Sequence, residues 1–216
     1  MKLRNAIILA ACAATTLSAC KTEGDIVVQQ GVGITALRSV CPAVGVPDYT
    51  GDITIFAPGG ETTVAALDVT AAITNLRSTC DDSGAEVYSN ATFDVLAMRR
   101  NTNGARTVEI PYFGTVMRGG NSVVSKRVGS VTVSFADGQA RASASGNAGA
   151  VVNRAEATLP ADIRDIITRD RRAGDEDAAV DPLTRPEVRA ALDRATFELL
   201  IGFQLTEDQL AYNATR

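Results

Sequence analysis

Val131-Thr132-Val133-Ser134-Phe135-Ala136-Asp137-Gly138-Gln139-Ala140-Arg141-Ala142-Ser143-Ala144 is the stretch that decides the fold. Val131, Val133 and Phe135 fall on one face, and Thr132 and Ser134 on the other. That period of two is the mark of a half-buried strand. Asp137-Gly138 then supplies the positive φ angles of a tight hairpin. Ala140, Ala142 and Ala144 answer from the returning strand, with Arg141, Ser143 and Ser145 facing outward. A neighbouring copy of the pattern runs upstream. Phe93, Val95 and Ala97 alternate against Thr92 and Asp94, Asn103-Gly104 makes a turn, and Val108, Ile110 and Tyr112 resume the alternation. Pro111 marks that strand as an edge or a bulge, and Gly119-Gly120-Asn121 forms another turn.

Further out, Leu67, Val69, Ala71 and Ile73 share one face against Asp68, Thr70 and Thr74, and Val151 to Leu159 reads as a last strand. Several short strands joined by hairpin turns, without crossover helices, predict a mainly β chain. The expected architecture is an antiparallel β-sandwich, immunoglobulin-like in its layering, with a closed barrel as the alternative. The alanine-rich faces predict closely approaching layers. After Pro160 the period becomes helical: Ile163, Ile166 and Ile167 mark a helix from Ala161 to Arg172. Thr184-Arg-Pro186-Glu187 reads as a capping box opening a helix to about Gly202, striped by Val188, Leu192, Ala195 and Leu199. Thr206-Glu-Asp-Gln209 caps a last short helix ending near Tyr212. These helices are expected to pack on the sandwich, or else to bind a partner through their apolar stripe.

The chain has 216 residues, 45% hydrophobic and 21% charged, with no histidine and no tryptophan. Without histidine, Ser-His-Asp and Cys-His hydrolysis, His-bearing zinc sites and His-ligated haem all fall away. Carboxylates remain. Asp81-Asp82 lie on a turn where adjacent side chains point apart, unlike the facing carboxylates of glycosidases. Asp175, Asp177 and Asp181 miss the calcium-loop pattern, since position six is Val180 and position twelve Pro186. Ser-x-x-Lys is absent because Val123 stands three residues before Lys126. Gly31, Gly33 and Ala36, with Asp52 downstream, match a dinucleotide-binding turn, but no alternation of strands and crossover helices surrounds them. No cofactor, no metal and no nucleic-acid partner is expected. Arg99, Arg100 and Arg106 cluster at one hairpin tip and are the candidate anion-binding patch, set against a plain role as solubility residues.

The amino terminus carries an address. Lys2 and Arg4 form a positive head, and Ala6 to Leu17 runs apolar and uncharged, too short to span a bilayer. Leu17-Ser18-Ala19-Cys20 resembles the lipobox of bacterial lipoproteins. The resemblance covers residues 1–20 and implies cleavage before Cys20, whose thiol and new amino terminus receive acyl chains. Residues 1–19 would then be the signal, 20–50 the anchor and tether, 51–159 the sandwich, and 160–216 the helical extension. Several acyl chains suffice for stable anchoring, at about 0.8 kcal/mol for each buried CH₂. In that family an Asp after the cysteine favours inner-membrane retention; Lys21 therefore implies the outer membrane, facing the periplasm.

Cleavage removes Cys12, and Cys20 takes lipid. Cys41 and Cys80 remain, and in an oxidising compartment they are expected to close a disulfide. Loss of Lys2 and Arg4 moves the net charge from −4 to about −6, a poor balance for nucleic acid. The sequence thus predicts a membrane-anchored envelope lipoprotein acting as a non-catalytic interaction or accessory module, with an envelope protein as partner. A binding protein for an envelope polysaccharide or anionic lipid is the alternative, and a metal- or carboxylate-dependent hydrolase a third.

Overall fold

The structure, a computed structural model, describes residues 39–59, 62–172 and 174–215. Eight strands form two four-stranded sheets. In chain order they are β1 (Ala43–Gly45), β2 (Asp52–Phe56), β3 (Leu67–Asp81), β4 (Glu86–Arg99), β5 (Arg106–Arg118), β6 (Ser122–Phe135), β7 (Arg141–Asn153) and β8 (Phe197–Phe203). One sheet has the order β1-β8-β5-β6 and the other β2-β3-β4-β7. All pairings are antiparallel except β1 with β8. The antiparallel sandwich with C-terminal helices is therefore as expected. Its connectivity is its own, with β2-β3-β4 as a meander in one sheet and β8 inserted between β1 and β5 in the other.

β4 shows why the layers form. From Val87 to Arg99 every second residue is buried: Val87, Ser89, Ala91, Phe93, Val95, Ala97, Arg99. Ala91, Phe93, Val95 and Ala97 share one core cluster with Ile110, Val131, Val133 and Phe135 of the facing sheet, together with Leu199, Ile201 and Phe203. Burying such a row removes some hundreds of square ångströms of apolar surface from water, at about 25 cal/mol per Å². Small residues let the layers approach closely, as the alanine faces predicted. A Cβ at Gly146 would stand 2.4 Å from Phe93 Cζ, and one at Gly114 would stand 2.9 Å from Ala148 Cβ. Both glycines are required by packing rather than by a turn.

The helices are α1 (Arg154–Ala157), α2 (Ala161–Thr168), α3 (Pro186–Ala195) and α4 (Glu207–Thr215). α2 and α3 close a satellite cluster of Ile163, Ile167, Val188 and Ala191. α4 is tied to the entry of β2, since Asn213 Nδ2 donates to the carbonyls of Tyr49 and Asp52 at 2.8 Å each. The Tyr212 ring meets Phe56 edge-on at 5.3 Å. The capping box before α4 is present as expected: Gln209 N donates to Thr206 Oγ1, and Thr206 N to Gln209 Oε1.

Three local expectations are corrected. The helix expected to reach Gly202 stops at Ala195, and Phe197–Phe203 is a strand. Phe197, Leu199, Ile201 and Phe203 are each no more than 4% exposed and point inward together, so the period here is two. Phe197, Leu200 and Ile201 also fit helical spacing, and a short apolar run cannot be resolved by period alone. The sandwich therefore takes β8 from the segment assigned to the helical extension, and β1 from the segment assigned to the tether. Second, Val151–Leu159 is not a separate strand; β7 runs on to Asn153, whose side chain caps α1 through Ala155 N. Third, Thr184 does not cap α3. It sits in a single 3₁₀ turn, Pro182–Thr184, capped by Asp181 Oδ1 accepting from Leu183 N.

Candidate functional site

The site is the seam between β6 and β7. These strands are joined by the Asp137-Gly138 turn yet belong to different sheets, each lying at a sheet edge. Gly138 takes φ +76°, as the hairpin reading requires. The two ends of the seam differ in chemistry.

The turn end is closed by Arg99. Its Nε donates to Gln139 O, its Nη1 to Gly104 O, and its Nη2 to both Thr102 O and Ala136 O, all at 2.8 Å. Its guanidinium lies 5.2 Å from the Phe135 ring centroid. Arg99 is 2% exposed, so its charge is inside the fold and met by carbonyl dipoles. One side chain thereby stitches the Asn103-Gly104 turn to the Asp137-Gly138 turn. Arg100 Nη1 donates to Val64 O at 2.7 Å. Arg106 makes a two-pronged ion pair with Asp68, at 2.6 and 2.7 Å. That hydrogen bond, above all, holds the Asp68 carboxyl below its usual range and raises the Arg106 guanidinium above its own. The proposed anion patch is corrected accordingly: the three arginines lie near one end, but Arg99 is buried and all three are engaged within the molecule.

The far end opens into a cleft of roughly 900 Å³. Its walls include Val124, Arg127 and Val128 of β6 and Ala148, Ala150 and Val151 of β7. Ser89 of β4 also lines it; the residue is 4% exposed and its Oγ has no hydrogen-bond partner among the described residues. A buried hydroxyl in that state costs about 1–3 kcal/mol. Val128 is 60% exposed, and the Arg127 side chain makes no hydrogen bond or ion pair among the described residues. On the side wall the Tyr112 hydroxyl donates to Asn147 O at 2.7 Å, and its ring meets Phe93 edge-on at 5.1 Å. The cleft is therefore mixed in character: valines and alanines stand beside Asp81, Asn90, Tyr88 and Arg127 along the edges of β6 and β7.

The cysteine expectation is met at the cleft mouth. Cys41 and Cys80 form a disulfide with Cα atoms 6.1 Å apart, and Cys80 lines the cleft. The bond fastens the segment before β1 to the end of β3. Cys20, the expected lipidation residue, lies outside the described residues, as do Gly31, Gly33 and Ala36. Asp81 is held by a local turn, accepting from Ser83 Oγ and N, which keeps its carboxyl below the usual range. Asp177 pairs with Arg169 and Arg185, and Asp175 accepts from Arg172 N. Among the described residues no three acids or cysteines are grouped to hold a metal, and no helix is long and apolar enough to cross a membrane.

Sequence reasoning missed both Ser89 and the β6 edge. Ser89 had a signal, for it shares the inward parity of Val87, Ala91 and Phe93. The β6 edge had one too: Val123-Val124 and Val128 flank Lys126-Arg127 with apolar residues on both faces. A second, shallower depression lies on the outer face of the β2-β3-β4-β7 sheet, where Leu96 and Met98 are about half exposed. No family model, curated protein or solved structure matches the chain.

Proposed function

We propose that this protein is an envelope lipoprotein, anchored through Cys20, that presents a β-sandwich as a non-catalytic interaction module. The observation that carries the interaction reading is the open β6–β7 seam, where exposed valines, a cation and the sheet edge of β6 face solvent. The address rests on the lipobox resemblance at Leu17-Ser18-Ala19-Cys20, and the Cys41–Cys80 disulfide is consistent with an oxidising compartment. Lys21 favours the outer membrane, facing the periplasm. With the anchor at residue 20 and the disulfide at Cys41, the intervening chain reaches at most about 70 Å when fully extended. The module thus stays near the bilayer while its seam is free to meet another envelope component.

The polysaccharide or anionic-lipid alternative drew on Arg99, Arg100 and Arg106. With those side chains engaged internally, that patch does not support it. Fractionation of cells carrying Cys20→Ser tests the anchor. The account expects wild type in the membrane fraction, labelled by an acyl-chain analogue, and the variant unlabelled and released. An unlabelled wild type, or a variant that fractionates as wild type does, overturns it.

A further inference from the structure

The cleft has a more specific chemistry than an apolar depression. β6 is an edge strand of 14 residues, so one side of its backbone presents unpaired N–H and C=O groups. Natural proteins usually blunt such edges with proline, with brevity or with charge. β6 has no proline and is long; its two charges, Lys126 and Arg127, are adjacent and therefore project to opposite faces. Their cross-strand neighbours on β5 are Thr115 and Gly114, so no acid of the sheet stands directly opposite either; Asp81 of β3 lines the same cleft, with its carboxylate taken by Ser83. Lys126 Nζ rests 4.9 Å from the Phe113 ring centroid, and Arg127 opens into the cleft. Val124 and Val128 flank the pair, 51% and 60% exposed. Ser89 Oγ, buried and unpartnered, waits on the cleft wall.

We propose that this seam binds an extended segment of a partner polypeptide by strand addition to the β6 edge, with two adjacent acidic residues opposite Lys126 and Arg127 and apolar residues opposite Val124 and Val128. The proposal rests on the interaction-module reading and names the partner's chemistry. Main-chain hydrogen bonds along the edge supply affinity, and alternating side chains supply selectivity. Opposite charges directly across a strand pair are favourable and like charges unfavourable. That rule disfavours a second copy of this chain, because antiparallel self-pairing centred on the two cations sets Lys126 against Arg127. A glycan is disfavoured because the hydroxyls of the two tyrosines at the cleft are taken, Tyr88 by Glu86 and Tyr112 by Asn147 O.

The test uses the full chain in detergent and a fluorescein-labelled peptide, Thr-Val-Glu-Glu-Thr-Val-Thr, read by fluorescence polarisation. Saturable binding is expected, together with at least a tenfold loss on Lys126→Glu/Arg127→Glu and recovery with a Lys-Lys peptide. Two further peptides, N-methylated at alternate residues in complementary sets, separate main-chain pairing from simple charge attraction. Strand addition spares one set and abolishes binding of the other. Circular dichroism confirms that the exposed double variant is folded. The proposal is overturned by absent binding, by equal loss or equal retention in the two methylated sets, or by indifference to charge reversal. Self-association through the same edge, or preferential binding of an anionic oligosaccharide, overturns it as well. Membrane fractionation of the same preparation reports on the anchored-module reading independently, so a failed peptide and a failed anchor are told apart.

Discussion

Arg99 and Ser89 lie on the same inward face of β4, ten residues apart, and their polar atoms have opposite fates. The guanidinium of Arg99 donates to four carbonyls, whereas Ser89 Oγ has no partner among the described residues. One end of the sandwich is thus locked by a buried cation, and the other is left unsatisfied beside an open cleft. That asymmetry separates the part of the seam that holds the fold from the part available to a partner.

Replacing Arg99 therefore strikes stability. Arg99→Met takes a donor from four carbonyls, of which Thr102 O and Ala136 O keep the backbone N–H groups of Gly138 and Gln139, and it removes the contact with Phe135, for a loss of about 3 kcal/mol. Arg99→Lys recovers little of it, because a single ammonium cannot reproduce the planar fork that spans two turns. Urea unfolding of both variants measures this. A loss below 1 kcal/mol in either contradicts the clamp.

Ser89→Ala has the opposite sign. Removing a buried hydroxyl without a partner leaves the free protein as stable, or more stable by up to about 1 kcal/mol. A clear destabilisation in the same unfolding assay shows that Ser89 Oγ is satisfied in solution.

The Asp68–Arg106 pair gives a pH dependence. Its hydrogen bonds depress the Asp68 carboxyl below its ordinary 3.8, so the stabilisation is complete above that value. It is lost as pH falls through the lower folded value. The Arg106 side chain is 42% exposed and that of Asp68 17%, so solvent screens the pair from the arginine side; its contribution is about 0.2–1 kcal/mol and shrinks with salt. Asp68→Asn should flatten the acid limb of the stability curve; an unchanged limb contradicts the assignment.

Reducing the Cys41–Cys80 bond releases a loop of 39 residues' separation, which the chain-entropy model values at about 4 kcal/mol. Chemical denaturation with and without reductant reads that loss. Two free thiols in the natively folded protein contradict the pairing.

Gly146→Ala tests how closely the sheets approach. The added methyl meets the Phe93 ring, and the overpacking should destabilise by about 1–3 kcal/mol. A neutral substitution shows that the layers part easily.

Much of the sandwich was legible because its signals are local. The Asn-Gly and Asp-Gly turns and the strict alternation of β4 need no tertiary information. β8 was hidden because Phe197-Glu-Leu-Leu-Ile201 satisfies helical and strand periods alike; its place between β1 and β5 decides it. β1, three residues long, leaves no pattern to read. Arg99 carried an unused signal: it shares parity with Phe93, Val95 and Ala97, whereas Arg100 does not. Grouping the arginines by proximity in sequence overlooked that parity. The cleft was illegible because it arises where β6 and β7, neighbours in sequence, enter different sheets.

Site-specific photo-crosslinking in intact cells tests the interaction module most directly. A photoreactive residue is placed at Val128, on the open seam, or at Val64, which is more exposed still and lies beside the clamped end. The account predicts a discrete polypeptide adduct in the membrane fraction from Val128, and none from Val64. An adduct from both positions alike, or none at Val128, contradicts it.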